Sequence, residues 1–213
     1  MIKKILLGIL LMYPAFTISA QTLKDAFVNM PDSLLPSLSH NNRLDMIDFI
    51  NSGMKAEVTN LFDGKSSMSM LNDRYLKIQL NDYVSVEMML FTDSTASVQD
   101  SSSTYICMIT SYGAVPIESK VCFYDYRWNS RNKKHDFVGR YKSDLICRPD
   151  TMSTDNFEDL KPLLTYMTVV ADLSSEDKSI TFRAEFPLLS VAEREKAAQV
   201  VRKKKIYLAD CIL

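Results

Sequence analysis

Between Arg74 and Trp128 apolar and polar residues alternate, and the breaks in the alternation carry polar or turn-forming residues. Leu76, Ile78 and Leu80 are interleaved with Lys77 and Gln79; after Asn81 and Asp82 the pattern resumes as Val84, Val86, Met88 and Leu90 against Ser85 and Glu87. A period of two marks a strand with one buried face, so the stretch predicts an antiparallel meander. The faces choose the register, because a slip of one residue would turn one strand's apolar set toward water. A three-residue turn, Asn81 to Tyr83, then sets Leu80 opposite Val84, Ile78 opposite Val86 and Leu76 opposite Met88. Tyr105 to Ile109 is apolar on both faces, as a central strand between two layers would be. Val121 to Trp128 answers it, with Cys122, Tyr124, Tyr126 and Trp128 on one face.

A second hairpin is legible further on. Met167, Val169, Ala171 and Leu173 can oppose Phe186, Ala184, Phe182 and Ile180 across a turn from Ser174 to Ser179, placing eight apolar side chains on one face. Helical periods are few and short. Thr22 to Asp25 can begin a helix that Pro31 stops, and Asn41 to Ser52 carries Leu44, Ile47 and Ile50 with Met46 and Phe49, opposite Arg43, Asp45 and Asn51. Asp155 to Thr165 repeats apolar residues at helical spacing. Ser190-Val191-Ala192-Glu193 reads as a capping box opening a helix that ends near Lys203, followed by a strand from Ile206 to Leu213. Pro31 to Leu38 is too apolar for an ordinary loop and is expected to pack on the body; a short strand is expected around Val98. The sum is an α+β domain, a mainly antiparallel sheet of meander and hairpins with short helices packed on one side.

Residues 1–20 read as a separate object: Lys3 and Lys4, an apolar run from Ile5 to Phe16, then Ser19-Ala20, the layout of a cleaved secretory signal peptide. The run is short for a bilayer span and is interrupted by Pro14, so stable membrane insertion is not expected. Cleavage after Ala20 leaves a single domain, 21–213, in the periplasm or secreted. Loss of two lysines changes 25 basic against 26 acidic residues to 23 against 26, a net charge of −3, which gives no electrostatic reason to expect nucleic acid. The compartment permits disulfides among Cys107, Cys122, Cys147 and Cys211. If the hairpin between Tyr105 and Trp128 closes about Ala114 and Val115, Cys107 faces Cys122; a bridge and two buried thiols both remain open there.

The run Lys24-Asp25-Ala26-Phe27, the segment Met30 to Pro36 and the stretch Asn41 to Phe49 resemble the N-terminal signature of an uncharacterised family of exported Bacteroidales proteins. The resemblance implies export from a Gram-negative cell and brings no activity and no catalytic residues with it.

Candidate chemistry is sparse. Four glycines remain after the leader, none close enough to another to cradle a phosphate, and only His40 and His135 could serve as an imidazole base. Asp45 and Asp48 share a helical face but lack the further oxygen ligands a hard cation needs, so no metal and no cofactor are expected. The row Tyr124, Tyr126 and Trp128 is the candidate ligand platform, for a sugar ring or a peptide, weighed against ordinary strand filling. Two functions from different classes stand: a non-catalytic envelope binding or accessory module for an unknown protein, peptide or small ligand, which the residues favour, and a small hydrolase using a carboxylate pair. A deep pocket holding two facing carboxylates would point to the second, an exposed apolar sheet face to the first.

Overall fold

The computed structural model describes residues 21–92, 104–131 and 136–211. The leader, the strand expected at Val98, the candidate base His135 and the end of the strand expected from Ile206 to Leu213 lie outside them. Six strands form one antiparallel meander in sequence order: β1 Ala56–Thr59, β2 Lys65–Leu71, β3 Tyr75–Asn81, β4 Val84–Thr92, β5 Thr104–Tyr112 and β6 Glu118–Asp125. Three more, β7 Thr168–Ser174, β8 Ser179–Glu185 and β9 Lys204–Tyr207, make a second, smaller antiparallel sheet. The fold is α+β, and the meander and hairpins expected from the two-residue period are present.

Alternation in the central strands is used on both faces. Leu76, Ile78, Val86, Met88, Leu90, Ile106 and Met108 belong to one core, beneath α1 Leu23–Val28 and α2 His40–Asn51. Their odd-numbered neighbours Met89, Phe91, Cys107, Ile109, Val121 and Phe123 belong to a second core, shared with β7 and β8. Helices α3 Thr154–Leu164 and α4 Val191–Ala198 flank the smaller sheet and contribute Leu164 and Ala197 to that second core. An aromatic ladder runs through it, Phe91 to Phe123 at 6.1 Å and Phe123 to Phe137 at 4.8 Å, both edge-on, with Phe182 stacked on Tyr141 at 4.9 Å. Each such side chain contributes about 1.5–3 kcal/mol by leaving water.

Ile78 pairs with Val86 and Leu76 with Met88, as the faces require, but Asn81, not Leu80, stands opposite Val84. A bulge at Leu80 absorbs the extra residue and leaves Leu80 facing the core. Val169, Ala171 and Leu173 pair with Ala184, Phe182 and Ile180 as expected. Between β5 and β6 the register differs by one: Cys107 stands opposite Phe123, and Met108 opposite Cys122. Adjacent pairs point to opposite faces, so Cys107 and Cys122 cannot be bridged; all four cysteines are free thiols. The physical reason is Phe123, whose burial in the aromatic ladder demands the same face as Cys107.

α2 is also rotated from its expected setting. Arg43, Met46 and Ile47 are buried while Leu44 is 37% exposed. Arg43 thus leads the core-facing row 43, 46, 47, 50 that its side-chain chemistry had assigned to solvent. Near the C-terminus α4 stops at Ala198, because Val201 bridges Ile146 and Arg202 N–H donates to the Leu145 carbonyl at 2.8 Å. The last strand is accordingly β9, Lys204–Tyr207, with Ile206 opposite Ile180, and a 3-10 turn at Leu208–Asp210 follows it.

Candidate functional site

β6 ends at Asp125, three residues short of the expected Trp128, because Asp125 folds the chain back on itself. Its Oδ1 accepts from the backbone N–H groups of Arg127 and Asn129, each at 2.9 Å, and its Oδ2 from Asn129 Nδ2 at 2.9 Å and Arg131 Nη2 at 3.0 Å. Partial burial alone would push this carboxyl up, but these bonds outweigh it and hold Asp125 below the usual carboxylate range. Trp128 takes φ 65° in the resulting turn, a strained setting for a bulky residue. Two interactions offset the strain: the indole is 8% exposed in the helix-side core, and Nε1 donates to the Ala26 carbonyl at 2.9 Å.

The three expected platform residues are therefore brought together, but around α1. Tyr124 packs on Trp128 with ring centroids 5.4 Å apart, and Tyr126 Oη donates to the Thr22 carbonyl at 3.0 Å. A six-residue helix is not stable alone, and the carbonyls at its C-terminal end need partners. Trp128 serves Ala26; His40 Nδ1 at 3.0 Å and Arg43 Nη2 at 3.3 Å serve Val28. Arg43 also donates to Met30 O and Leu38 O, each at 2.8 Å, and pairs with Asp32 at 2.8 Å. The stretch that carries the N-terminal resemblance is thus a clasp, in which a buried guanidinium ties α1, the Pro31 to Leu38 segment and α2 together.

Two open recesses border the sheet. One of about 410 Å³ is lined by Gln21, Thr104, Asp125, Tyr126, Arg127, Asn129 and Arg131. Its carboxylate is consumed by the loop bonds just described. The other, about 360 Å³, has Glu118 and Asp136 on its walls; Asp136 is occupied in accepting Gly139 N–H at 2.7 Å. Among the described residues no group of three or more His, Cys, Asp or Glu converges as metal ligands, and no helix is long and apolar enough to cross a membrane. A part-buried pair, Tyr75 Oη donating to Glu87 at 2.6 Å with exposed Lys77 at 3.0 Å from the same carboxylate, borders the second core, where burial and then Glu87 push the phenol up.

What the sequence reading missed lies at the opposite end of the sheet. The turns β1–β2, β3–β4 and β5–β6 project there side by side, and six of the thirteen exposed large apolar side chains among the described residues are on or beside them: Leu61, Phe62, Tyr83, Tyr112, Val115 and Ile117. Phe62 is 71% exposed, Tyr83 65% and Val115 75%. These turns are built structures. Buried Asn60 accepts from Phe62 N–H at 2.9 Å and Gly64 N–H at 3.1 Å, and donates to Ser66 Oγ and Leu80 O. Gly113 N–H donates to Tyr83 O at 2.7 Å, joining the second turn to the third. At Gly113, with φ 106°, a Cβ would meet Val115 O at 2.5 Å, so only glycine fits. The available signal was three short turns each containing a large apolar residue, where turn chemistry favours small polar ones.

The family described as "Protein of unknown function (DUF3256)" matches residues 15–210. The chain belongs to this family. Among solved structures it is similar to a domain of an uncharacterized protein from Porphyromonas gingivalis W83, with 20% identity, a TM-score of 0.63, and coverage of 86% of this chain and 90% of that one. That likeness shows a shared fold. No curated protein matches the chain.

Proposed function

We propose that this DUF3256 protein is an exported, non-catalytic binding or accessory module of the periplasm or cell envelope, and that it docks partners through the turns at the Phe62, Tyr83 and Val115 end of the large sheet. The observation that carries the reading is the row of apolar side chains held in the open by ordered turns. Scattered exposed apolar residues need no explanation, but several gathered at one end of a sheet on hydrogen-bonded turns favour an interaction surface. Export is supported by the leader-like residues 1–20 and by the resemblance to exported Bacteroidales proteins. The aromatic cluster of Tyr124, Tyr126 and Trp128 is proposed as a ligand contact only at its Tyr126 edge, where the recess with Arg127 begins.

A photoreactive residue at Phe62 or Val115 tests this in intact cells. The same adduct is expected from both positions and none from Met70, which is 49% exposed at the other end of the sheet. Absence of any adduct, or equal yield from Met70, overturns the docking reading. N-terminal sequencing of the envelope-fraction protein is expected to begin at Gln21; an intact Met1 in the membrane fraction overturns export.

A further inference from the structure

Resting on that docking reading, we infer that the partner presented to the three turns is a basic, amphipathic helix. The argument is one of spacing and charge. Turns that join alternate strand pairs are two strand widths apart, about 9.6 Å, so the row spans about 19 Å from first to third. An α-helix repeats its face every seven residues, about 10.5 Å at 1.5 Å per residue. Apolar side chains at i, i+7 and i+14 of one helix therefore meet Phe62, Tyr83 and Val115 in turn.

Charge selects the sign. Exposed carboxylates stand at all three turns, Asp63 and Asp82 within the first two and Glu118 at the start of β6 just past the third, and none of them has an ion-pair partner among the described residues. Of the nearby cations, Lys65 is turned back toward Thr59 Oγ1 at 3.2 Å and Glu57 at 3.9 Å, and Arg183, which reaches the Pro116 carbonyl at 3.5 Å, is paired with Asp172 and Glu185; Lys120 lies further along β6, past Glu118. Apolar tips with an acidic margin complement a segment whose apolar stripe is flanked by Lys or Arg. The same carboxylates are repelled by an anionic bilayer surface. Charge also argues against a second copy of the chain, because a two-fold contact through this row would set the carboxylates of one copy against those of the other.

The experiment is an amide chemical-shift titration of the purified protein with a capped 18-residue Lys/Leu amphipathic helix, with its Glu/Leu counterpart as control. Expected are shifts confined to the turns at 60–65, 81–84 and 112–118, with dissociation weakening as salt is added. The variant F62S/Y83S/V115S, all at exposed positions so that the circular dichroism and melting temperature stay those of the parent, is expected to lose affinity at least tenfold. D63N/D82N/E118Q is expected to flatten the salt dependence. Equal binding of the Glu/Leu peptide overturns the inference while leaving the docking reading in place. Shifts at the turns with phosphatidylglycerol vesicles but with neither peptide overturn it in favour of a lipid surface, and concentration-dependent dimerisation abolished by the apolar variant overturns it in favour of a second copy. No shift at the turns with any probe overturns it.

Discussion

Replacing Arg43 by Met removes the donors of the N-terminal clasp while leaving the aliphatic volume nearly unchanged. Arg43 is 1% exposed, and its guanidinium serves three main-chain carbonyls, two at 2.8 Å and one at 3.3 Å. A bond from a charged donor is worth about 1.5–3 kcal/mol, and a carbonyl left buried without a donor loses a similar amount. Water reaching the Val28 carbonyl, which His40 also serves, offsets part of the loss, so Arg43→Met should cost about 3–5 kcal/mol. The ion pair with Asp32 contributes little to that sum, since Asp32 is 65% exposed, and Asp32→Asn should cost under about 1 kcal/mol. For a domain of this size each kcal/mol lowers the melting temperature by about 2–4 °C, giving a drop of about 6–20 °C for Arg43→Met. Urea and thermal unfolding measure it. Hydrogen exchange localises it: amides of α1 should lose protection before those of β4 and β5. A stability within about 1 kcal/mol of the parent would refute the clasp, and so would uniform loss of protection across both sheets.

The thiols and the Asp125 loop supply two further tests. Burial pushes Cys107 well up, with Cys211 and Cys122 adding to it, and pushes Cys211 up to about 12 with Asp210 adding to it; in the native protein at pH 8 both should alkylate more than about tenfold more slowly than in denaturant, and a Cys107–Cys122 cross-linked peptide recovered without reductant would contradict the observed register. Asp125 titrates below its unfolded value, so its stabilisation is present above about pH 4 and is lost as pH falls through the folded pKa; the amides of Arg127 and Asn129 should shift in that acid window and not in Asp125→Asn, and a transition above pH 5 would be inconsistent with the bonds that hold the carboxylate.

Local pattern carried much of the fold. The two-residue period in Leu76 to Leu90 and in Met167 to Phe186, together with the Thr22 and Ser190 caps, determined strands, hairpins and helix starts, because those features depend on neighbours in sequence. What stayed hidden depends on contacts between distant residues. The one-residue shift that separates Cys107 from Cys122 was decided by Phe123 meeting Phe91 and Phe137. Arg43 entered the core because carbonyls of α1 and the Pro31 to Leu38 segment converge on it, and a hydropathy pattern counts an arginine as polar whatever surrounds it. The row Tyr124, Tyr126 and Trp128 was legible as an aromatic cluster. That Trp128 closes over α1 was set by a turn at Asp125 and a carbonyl about one hundred residues away along the chain. The exposed row at Phe62, Tyr83 and Val115 exists only once antiparallel pairing brings alternate turns to one end of a sheet, so sequence by itself could name its residues but not assemble them.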